Sequence, residues 1–184
     1  MASKHWQGNV PTCLLFAGGR EVSDALSACL DDEMQPFSSP ASDIFREGTH
    51  LVFSVPAAFS ESAGNVKLRA YRDAAEHLRA NGADRIWCLA ANDLWVMRAW
   101  FSSESIQSEV GALSDPDLAF TRALGLDICL FDLAMGTRPR PFLMLIRNGS
   151  LVHLVVEPPG AFGVTTPEYA ATLLKAYLDE GDAA

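Results

Sequence analysis

The stretch that decides the fold is residues 51–101, LVFSVPAAFSESAGNVKLRAYRDAAEHLRANGADRIWCLAANDLWVMRAWF. Its apolar run Leu51 to Val55 is short enough to be a buried strand, and Pro56 ends that run. From about Ser62 to Asn81 apolar residues recur at helical spacing, and Gly82 is suited to end a helix in the left-handed conformation. The first half of the stretch therefore predicts a strand followed by the longest helix of the chain.

The second half of the stretch repeats that order. Arg85 to Ala90 is a mostly apolar run that predicts another strand. Asn92 or Asp93 then supplies a side chain that can cap a helix carrying the large apolar residues of 94–101. This alternation of strand and helix is typical of an α/β architecture.

Further elements are predicted toward the N-terminus. Val10 to Phe16 predicts a first strand, which the glycines at 18 and 19 end. Val22 to Met34 places its apolar residues at helical spacing and predicts an amphipathic helix. Ser42 can cap a short helical turn through Phe45, which Gly48 closes.

A hairpin and a last helix are predicted toward the C-terminus. Phe142 to Ile146 and Leu151 to Val156 flank Asn148-Gly149, a pair suited to a type I′ turn because both positions require positive φ. Thr165 or Thr166, followed by Pro167, starts a helix through Leu178. The complete order predicts a single α/β domain over 1–184, with a mixed sheet and helices on both faces.

Composition and charge exclude several classes of function. A chain of 184 residues with 49% hydrophobic content suits one domain with a substantial core. The formal net charge of −9 opposes binding to the phosphate backbone of nucleic acids. No stretch approaches the roughly 20 apolar residues that span a bilayer, and Met1 to Gln7 lacks the apolar run of a signal peptide. We therefore expect a cytoplasmic protein that binds neither nucleic acid nor membrane.

The four cysteines, Cys13, Cys29, Cys88 and Cys129, are scattered and form no CxxC pair. They show no metal-ligand spacing with the four histidines, and no glycine-rich stretch has the pattern of a phosphate-binding loop. We therefore expect no metal and no cofactor. Each cysteine has apolar neighbours, so we expect a structural role for each.

Several segments, in the same order along the chain, resemble the Prx5-like (type II) peroxiredoxins of the thioredoxin-fold superfamily. The resemblance covers about residues 49–178 and, more loosely, the first predicted strand. Its pieces are 51–59, 88–100, 113–116, 119–120, the hairpin around Asn148-Gly149, and 156–158. The resemblance implies a thioredoxin-like fold of the peroxiredoxin type and, for the family, thiol-dependent reduction of peroxides. Residues 17–48 depart most from the family and form an inserted helical segment.

The resemblance places the candidate site in the loop that follows the strand at 51–55. The family's catalytic loop reads Pro-x-x-x-Thr-x-x-Cys, and this chain reads Pro56-Ala-Ala-Phe-Ser60-Glu-Ser-Ala63. Ser60 keeps a hydroxyl able to orient a peroxide oxygen, but Ala63 stands where the family has its peroxidatic cysteine. A thiolate at the start of a helix can attack the peroxide O–O bond, whereas a methyl group cannot.

The family also places an arginine at the start of the strand opposite that loop. Aligning 137–142 with that stretch puts Pro141 at the arginine's position. Arg140, one residue earlier, points to the opposite side of an extended chain and reaches the site only if the register shifts by one residue. Two departures at one site favour natural loss of the reaction over an engineered Cys-to-Ala change.

Two hypotheses of function follow from this site. In the first, the chain is a peroxiredoxin-like protein without thiol peroxidase activity, whose pocket of Pro56, Phe59, Ser60 and Trp95 binds a small ligand or a protein partner. In the alternative, it is a thiol-dependent peroxidase acting on hydrogen peroxide or alkyl hydroperoxides. That alternative requires either a native cysteine changed to alanine or another thiol, such as Cys88 or Cys129.

A third hypothesis is an interaction module. Trp95, Met97, Trp100 and Phe101 are more large apolar groups than one helix face buries, so they either complete a dimer interface or belong to the core. The resemblance implies a homodimer that packs near the active-site loops.

Overall fold

The computed structural model describes residues 8–18, 38–158, 161 and 163–181. The strands are β1 Gly8–Asn9, β2 Leu14–Gly18, β3 Ser38–Pro40, β4 Thr49–Ser54, β5 Arg85–Ala90, β6 Gly111–Ser114, β7 Asp127–Cys129, β8 Thr137–Pro139, β9 Phe142–Arg147 and β10 Ser150–Val156. The helices are α1 Ala41–Ile44, α2 Val66–Ala80, α3 Leu94–Ser103, α4 Ala119–Ala123 and α5 Pro167–Gly181, with a π-helical turn Glu61–Asn65 leading into α2 and a 3-10 turn Phe131–Leu133.

Within these ranges, eight strands form one sheet in the order β1-β10-β9-β4-β5-β6-β2-β3. β5 is parallel to both of its neighbours, β4 and β6. β9 is antiparallel to β4, and β2 is antiparallel to β6. The sheet is therefore mixed, as predicted, while β7 and β8 pair separately as a two-stranded sheet.

The central strand β4 contributes to a core on each face of this sheet. Leu51 and Phe53 pack with buried residues of α2, α3 and α5. Val52, which points the other way, packs with Phe45 after α1 and with Phe120 of α4. An uninterrupted apolar run is the pattern expected of a strand buried on both faces, and helices on both faces are confirmed.

The best-defined sequence predictions are confirmed. β5 has the predicted bounds, and α2 is followed by Gly82 with φ +97°. Asp93, of the two predicted candidates, caps α3 by accepting from the Val96 N–H at 3.0 Å. Asn148 and Gly149 have φ of +49° and +77°, as a type I′ hairpin turn requires.

The N-terminal predictions need correction. The predicted strand over 10–16 begins only at Leu14 and continues to Gly18. Ser42 was predicted to cap the short helix but lies inside it, because the chain passes directly from Pro40 into α1 and the Ala41 N–H is satisfied by the Cys13 carbonyl at 2.8 Å. The predicted helix over 22–34 lies outside the described residues.

Most of the large apolar residues of α3 belong to the core. Met97 and Trp100 are fully buried and Phe101 is nearly so, whereas Trp95 remains 44% exposed. Of the two alternatives predicted for these residues, the core is confirmed for Met97, Trp100 and Phe101, which pack with residues of α2 and the sheet. No helix in the described ranges is both long and apolar enough to cross a bilayer.

Candidate functional site

The loop after β4 is held by hydrogen bonds to two neighbouring elements. The Val55 N–H donates to the Leu89 carbonyl at 3.0 Å, which extends the pairing with β5 beyond the end of β4. The Ala58 N–H donates to Asn92 Oδ1 at 2.9 Å, which ties the loop to the residues that precede α3. Phe59 then turns the chain with φ +59°, a region that few non-glycine residues adopt. These contacts set the path of the loop into α2.

Ser60 organises the turn that begins the helix. Its Oγ donates to the Ala57 carbonyl at 2.9 Å. Its carbonyl accepts from the N–H groups of Gly64 and Asn65, both at 2.8 Å, which produces the wide π-type turn. The proton of the Ser60 hydroxyl is thus used within the loop, while the lone pairs of its oxygen remain able to accept.

Ala63 lies within this π turn and is partly buried. The first N–H groups of a helix lack partners in the helix and give its start a partial positive charge. A thiolate at position 63 would be stabilised by that charge. The side chain of Ala63 carries neither a charge nor a lone pair, so it offers no group that this charge would stabilise.

Trp100 supports the inner side of the turn. Its indole N–H donates to Asn65 Oδ1 at 2.7 Å, and its ring centre lies 6.5 Å from that of Phe59. Phe59 and Trp95, both predicted to line the pocket, are 49% and 44% exposed. Phe59 follows Ala58 in the loop, and Trp95 lies at the start of α3. The structure thus brings Pro56, Phe59, Ser60 and Ala63 into one continuous segment, with Trp95 on the adjacent helix.

Arg140, just before β9, is fixed by a hydrogen bond to its backbone carbonyl. Ser54 Oγ donates to the Arg140 carbonyl at 2.6 Å and accepts from the Phe142 N–H at 2.8 Å. Phe142 packs on the face of α1 and α4, so strand alternation puts Pro141, not Arg140, on the face of α2. A one-residue shift would break the Ser54 bonds and the 2.9 Å bond from the Glu157 N–H to the Pro141 carbonyl. The register therefore keeps Arg140 on the face opposite to α2, and the alignment of Pro141 with the family's arginine stays a prediction.

Comparison with known proteins decides the family, since the Redoxin family model matches residues 22–173. The chain belongs to the Redoxin family. This redoxin is 37% identical over 121 residues to Peroxiredoxin-2E-2, chloroplastic, of Oryza sativa subsp. japonica, an alignment covering 64% of this chain and 54% of that protein. It is 33% identical over 118 residues to Peroxiredoxin-2C of the same organism, covering 64% and 73%. The chain therefore spans about half the length of the first of these relatives.

Solved structures agree with that assignment. The crystal structure of reduced Prx3 in complex with H2O2 from Vibrio vulnificus matches with a TM-score of 0.78 and 26% identity, covering 97% of this chain and 98% of that one. The predicted fold is confirmed as the thioredoxin-like fold of peroxiredoxins. Because relatives include a chloroplastic protein, the cytoplasmic location stays a prediction.

A polar cluster of this redoxin was not predicted from the sequence. It consists of Lys67, Thr165 and Glu157. Lys67 Nζ donates to Thr165 Oγ1 at 2.5 Å, and Thr165 Oγ1 donates to Glu157 Oε1 at 2.9 Å. The same Oε1 accepts from the backbone N–H groups of residues 163, 164 and 165 at 2.8 to 3.0 Å. The one available signal was the spacing of Lys67, four residues after Ala63 on the same helix.

Burial governs the ionisation of the groups in and around this cluster. Burial lowers the pKa of the Lys67 ammonium, against the opposing effects of Glu157 and Cys88. Tyr71, whose hydroxyl donates to the Thr165 carbonyl at 3.2 Å, has its pKa raised well above the ordinary value by burial. Burial also raises the pKa of the Cys88 thiol, although Lys67 opposes this. Cys88 is therefore a neutral and inaccessible thiol.

The remaining cysteines of the redoxin differ from one another. Cys13 is partly buried and its Sγ donates to the Ala119 carbonyl at 3.5 Å. Cys129 is exposed at the end of β7 and not among apolar neighbours in the core, so its structural role stays a prediction. Cys29 lies outside the described residues. In the described ranges, no three His, Cys, Asp or Glu side chains are grouped so that they could hold a metal ion.

Proposed function

We propose that this redoxin is a Prx5-like peroxiredoxin homologue that lacks the peroxidatic cysteine, has no thiol peroxidase activity and binds a small ligand or a protein partner. The observation that carries the proposal is Ala63, in the first turn of the helix that follows the loop from Pro56 to Ser60. Attack on a peroxide O–O bond needs a thiolate, and carbon at this position cannot supply one.

The other thiols do not offer a simple replacement. Cys88 lies in β5 and is fully buried, and burial raises its pKa, so it would meet peroxide neither exposed nor ionised. Cys129 is exposed, but it lies in the separate β7–β8 pair and not at the start of α2. Pro141 adds a second argument, because a proline cannot hold a peroxide or lower a thiol pKa as an arginine does.

The intact backbone of the loop supports a binding role. Ser60, Asn92 and Asn65 still hold the loop and turn through side-chain hydrogen bonds, and none of these bonds involves residue 63. The loop therefore needs no sulfur to keep its shape. Trp95 and Phe59 leave apolar area exposed beside it, as expected of a surface that contacts a ligand or a second protein.

The decisive experiment measures consumption of hydrogen peroxide with a thiol reductant. We expect the natural chain to match the protein-free control, Ala63→Cys to gain activity, and Ala63→Cys with Pro141→Arg to gain more, because the arginine would favour the thiolate. Ala63→Ser serves as the matched control that adds a polar atom without a thiol. Rapid peroxide reduction by the natural chain would contradict the proposal.

The second candidate is a thiol-dependent peroxidase, which the peroxiredoxin names of the relatives and the exposure of Cys129 favour. If Cys129 were the reactive thiol, the natural chain would reduce peroxide and Cys129→Ser would not. Activity that survives Cys129→Ser but is lost in Cys13→Ser or Cys29→Ser would identify a different thiol.

For the whole chain we propose one domain over 1–184, with the segment 17–48 as an insertion, and a homodimer that packs near the active-site loops. The family match over 22–173 supports one domain. The exposed Trp95 and Phe59 support an interface beside the loop. We also propose that the protein acts in the cytoplasm.

A further inference from the structure

The proposed function assigns no role to the polar cluster of Lys67, Thr165 and Glu157. Lys67 follows Ala63 by four residues, so the two side chains leave the helix on about the same face. The cluster forms one chain of hydrogen bonds, from Lys67 Nζ to Thr165 Oγ1 at 2.5 Å and on to Glu157 Oε1 at 2.9 Å. A primary amine is therefore connected to a carboxylate through a hydroxyl group.

The members of the cluster differ in accessibility. Thr165 is fully buried and Glu157 is 5% exposed, whereas Lys67 is only partly buried. Lys67 is thus the least buried of the three residues. Burial lowers the pKa of its ammonium, which increases the fraction of free amine. An amine becomes a useful nucleophile when it is desolvated in this way.

We propose that Lys67 is a nucleophilic amine that forms an imine with a small, neutral aldehyde entering beside Ala63. The inference rests on the proposed function in one respect, since it takes the position next to Lys67 to be free of a reactive sulfur. It specifies the chemical class of the ligand that the proposed function leaves open.

The hydrogen-bond chain provides the proton transfers that imine formation needs. One proton of the Lys67 ammonium passes to Thr165 Oγ1 while the Thr165 proton passes to Glu157. The free amine then attacks the carbonyl carbon, the C=O π electrons move to oxygen, and a proton passes from the nitrogen to that oxygen to give a carbinolamine. The carbinolamine then loses its hydroxyl group as water. The proton held by Glu157 returns through Thr165 to that leaving hydroxyl, and the imine replaces the C=O bond without any change in oxidation state.

The surroundings favour a neutral and partly apolar aldehyde. Glu157 Oε2 is buried and makes no hydrogen bond to any of the described residues, and the negative charge of this carboxylate near Lys67 opposes the approach of an anionic carbonyl compound. Phe59 and Trp95 expose aromatic surface beside the loop. Apolar surface of this kind favours a short aliphatic aldehyde over a charged carbonyl compound.

The test is reductive trapping with propanal and sodium cyanoborohydride at neutral pH, with the modified lysines identified by peptide mass spectrometry. Lys175, exposed on α5, is an internal control in the same molecule. We expect alkylation of Lys67 to be at least about tenfold faster than that of Lys175, and Lys67→Arg to abolish the fast reaction. Equal rates at the two lysines would overturn the proposal.

Thr165 positions the Lys67 amine and transfers protons between it and Glu157, and this role has its own test. Thr165→Val should slow trapping at Lys67 by about 100-fold and Thr165→Ser should restore it, whereas Thr172→Val, at an exposed threonine of α5, should change nothing. A merely structural Thr165 would not give this rescue pattern. If Thr165→Val does not fold, the ratio of the alkylation rates of Lys67 and Lys175 in the natural chain still shows whether Lys67 is the nucleophile.

The two proposals fail separately. Peroxide reduction by the natural chain would contradict the proposed absence of peroxidase activity. It would not change the ratio of the alkylation rates at Lys67 and Lys175. Equal alkylation of Lys67 and Lys175 in a chain that consumes no peroxide would contradict the proposed aldehyde ligand. The proposed function would then still stand.

Discussion

Ala63 and Pro141 are the two residues on which the proposed loss of peroxidase activity rests. They lie on different elements, one in the turn before α2 and the other just before β9. The residues around them keep complete hydrogen bonding, as the Ser60 and Ser54 contacts demonstrate. The hydrogen bonds that hold the loop do not depend on the side chain at position 63. Their contribution to stability can therefore be tested by substituting the residues that form them.

Gly64 is predicted to be intolerant of a side chain. A Cβ at this position would lie 2.7 Å from Ser60 Oγ and 2.8 Å from the Ala57 carbonyl oxygen, and that oxygen belongs to the backbone. We expect Gly64→Ala to lower the free energy of unfolding by about 1–3 kcal/mol, as overpacking commonly does. Urea denaturation measures this. Gly163→Ala is the control, because a Cβ there meets no atom within 4 Å. Equal stability of the two variants would contradict the prediction.

Ser54 is predicted to be a strong determinant of the path into β9. Its buried hydroxyl bridges the Arg140 carbonyl and the Phe142 N–H, so Ser54→Ala would leave a buried donor and a buried acceptor without partners. We expect a loss of about 1–3 kcal/mol in thermal or urea unfolding. The control Ser103→Ala, at an exposed position, should cost less than about 0.5 kcal/mol. A loss that small in Ser54→Ala would show that water replaces the hydroxyl.

The strands β4 and β5 are joined by a buried histidine as well as by their backbone hydrogen bonds. His50 Nε2 lies 2.8 Å from the Glu47 carbonyl and Nδ1 accepts from the indole N–H of Trp87 at 3.0 Å. These partners require a neutral ring with its proton on Nε2, because a second proton on Nδ1 would face another N–H group. Burial accordingly lowers the pKa of His50 from its ordinary 6.5.

Stability should therefore fall on acidification. As pH falls below about 6.5, the unfolded chain takes up a proton at His50 and the folded chain does not, so the free energy of unfolding decreases by up to about 1.4 kcal/mol per pH unit. His50→Gln should show a shallower decrease between about pH 6.5 and 5 in urea titrations. His77→Gln, at an exposed helical position, should follow the natural chain. Parallel curves for all three proteins would exclude His50 as the cause.

The elements also show how far the sequence predicts the structure. β5, α2 and the hairpin of β9 and β10 were predictable because a long periodic run or an Asn-Gly turn defines them locally. β6 was missed because the four residues of Gly111–Ser114 have no clear period, and they become a strand only by pairing with β5 and β2. The segment from Pro56 to Ala63 was located through the family pattern. The Lys67 to Thr165 contact was not predictable, since 98 residues separate its partners.

For the whole molecule, the central question is whether two copies associate through the surface beside the loop. Trp95 and Phe59 expose large apolar groups there, while Met97, Trp100 and Phe101 are already used by the core. We expect a dimer in sedimentation velocity at tens of micromolar, and a monomer for Trp95→Glu because a buried charge would oppose association. Leu14→Ser, at another exposed apolar residue, should leave the dimer unchanged. A monomeric natural chain would refute the expectation.

The bond from Lys67 to Thr165 also has a consequence for how the protein is made. Ribosomes release α2 and the strands β4 and β5 well before residues 157–165, so for much of synthesis the Lys67 amine has neither the hydroxyl nor the carboxylate that later surround it. The hydrogen-bond chain of Lys67 is completed only when residues 157–165 have emerged. A nascent chain that stalls before that stretch would already carry the loop from Pro56 to Ala63, but it would lack the proton path.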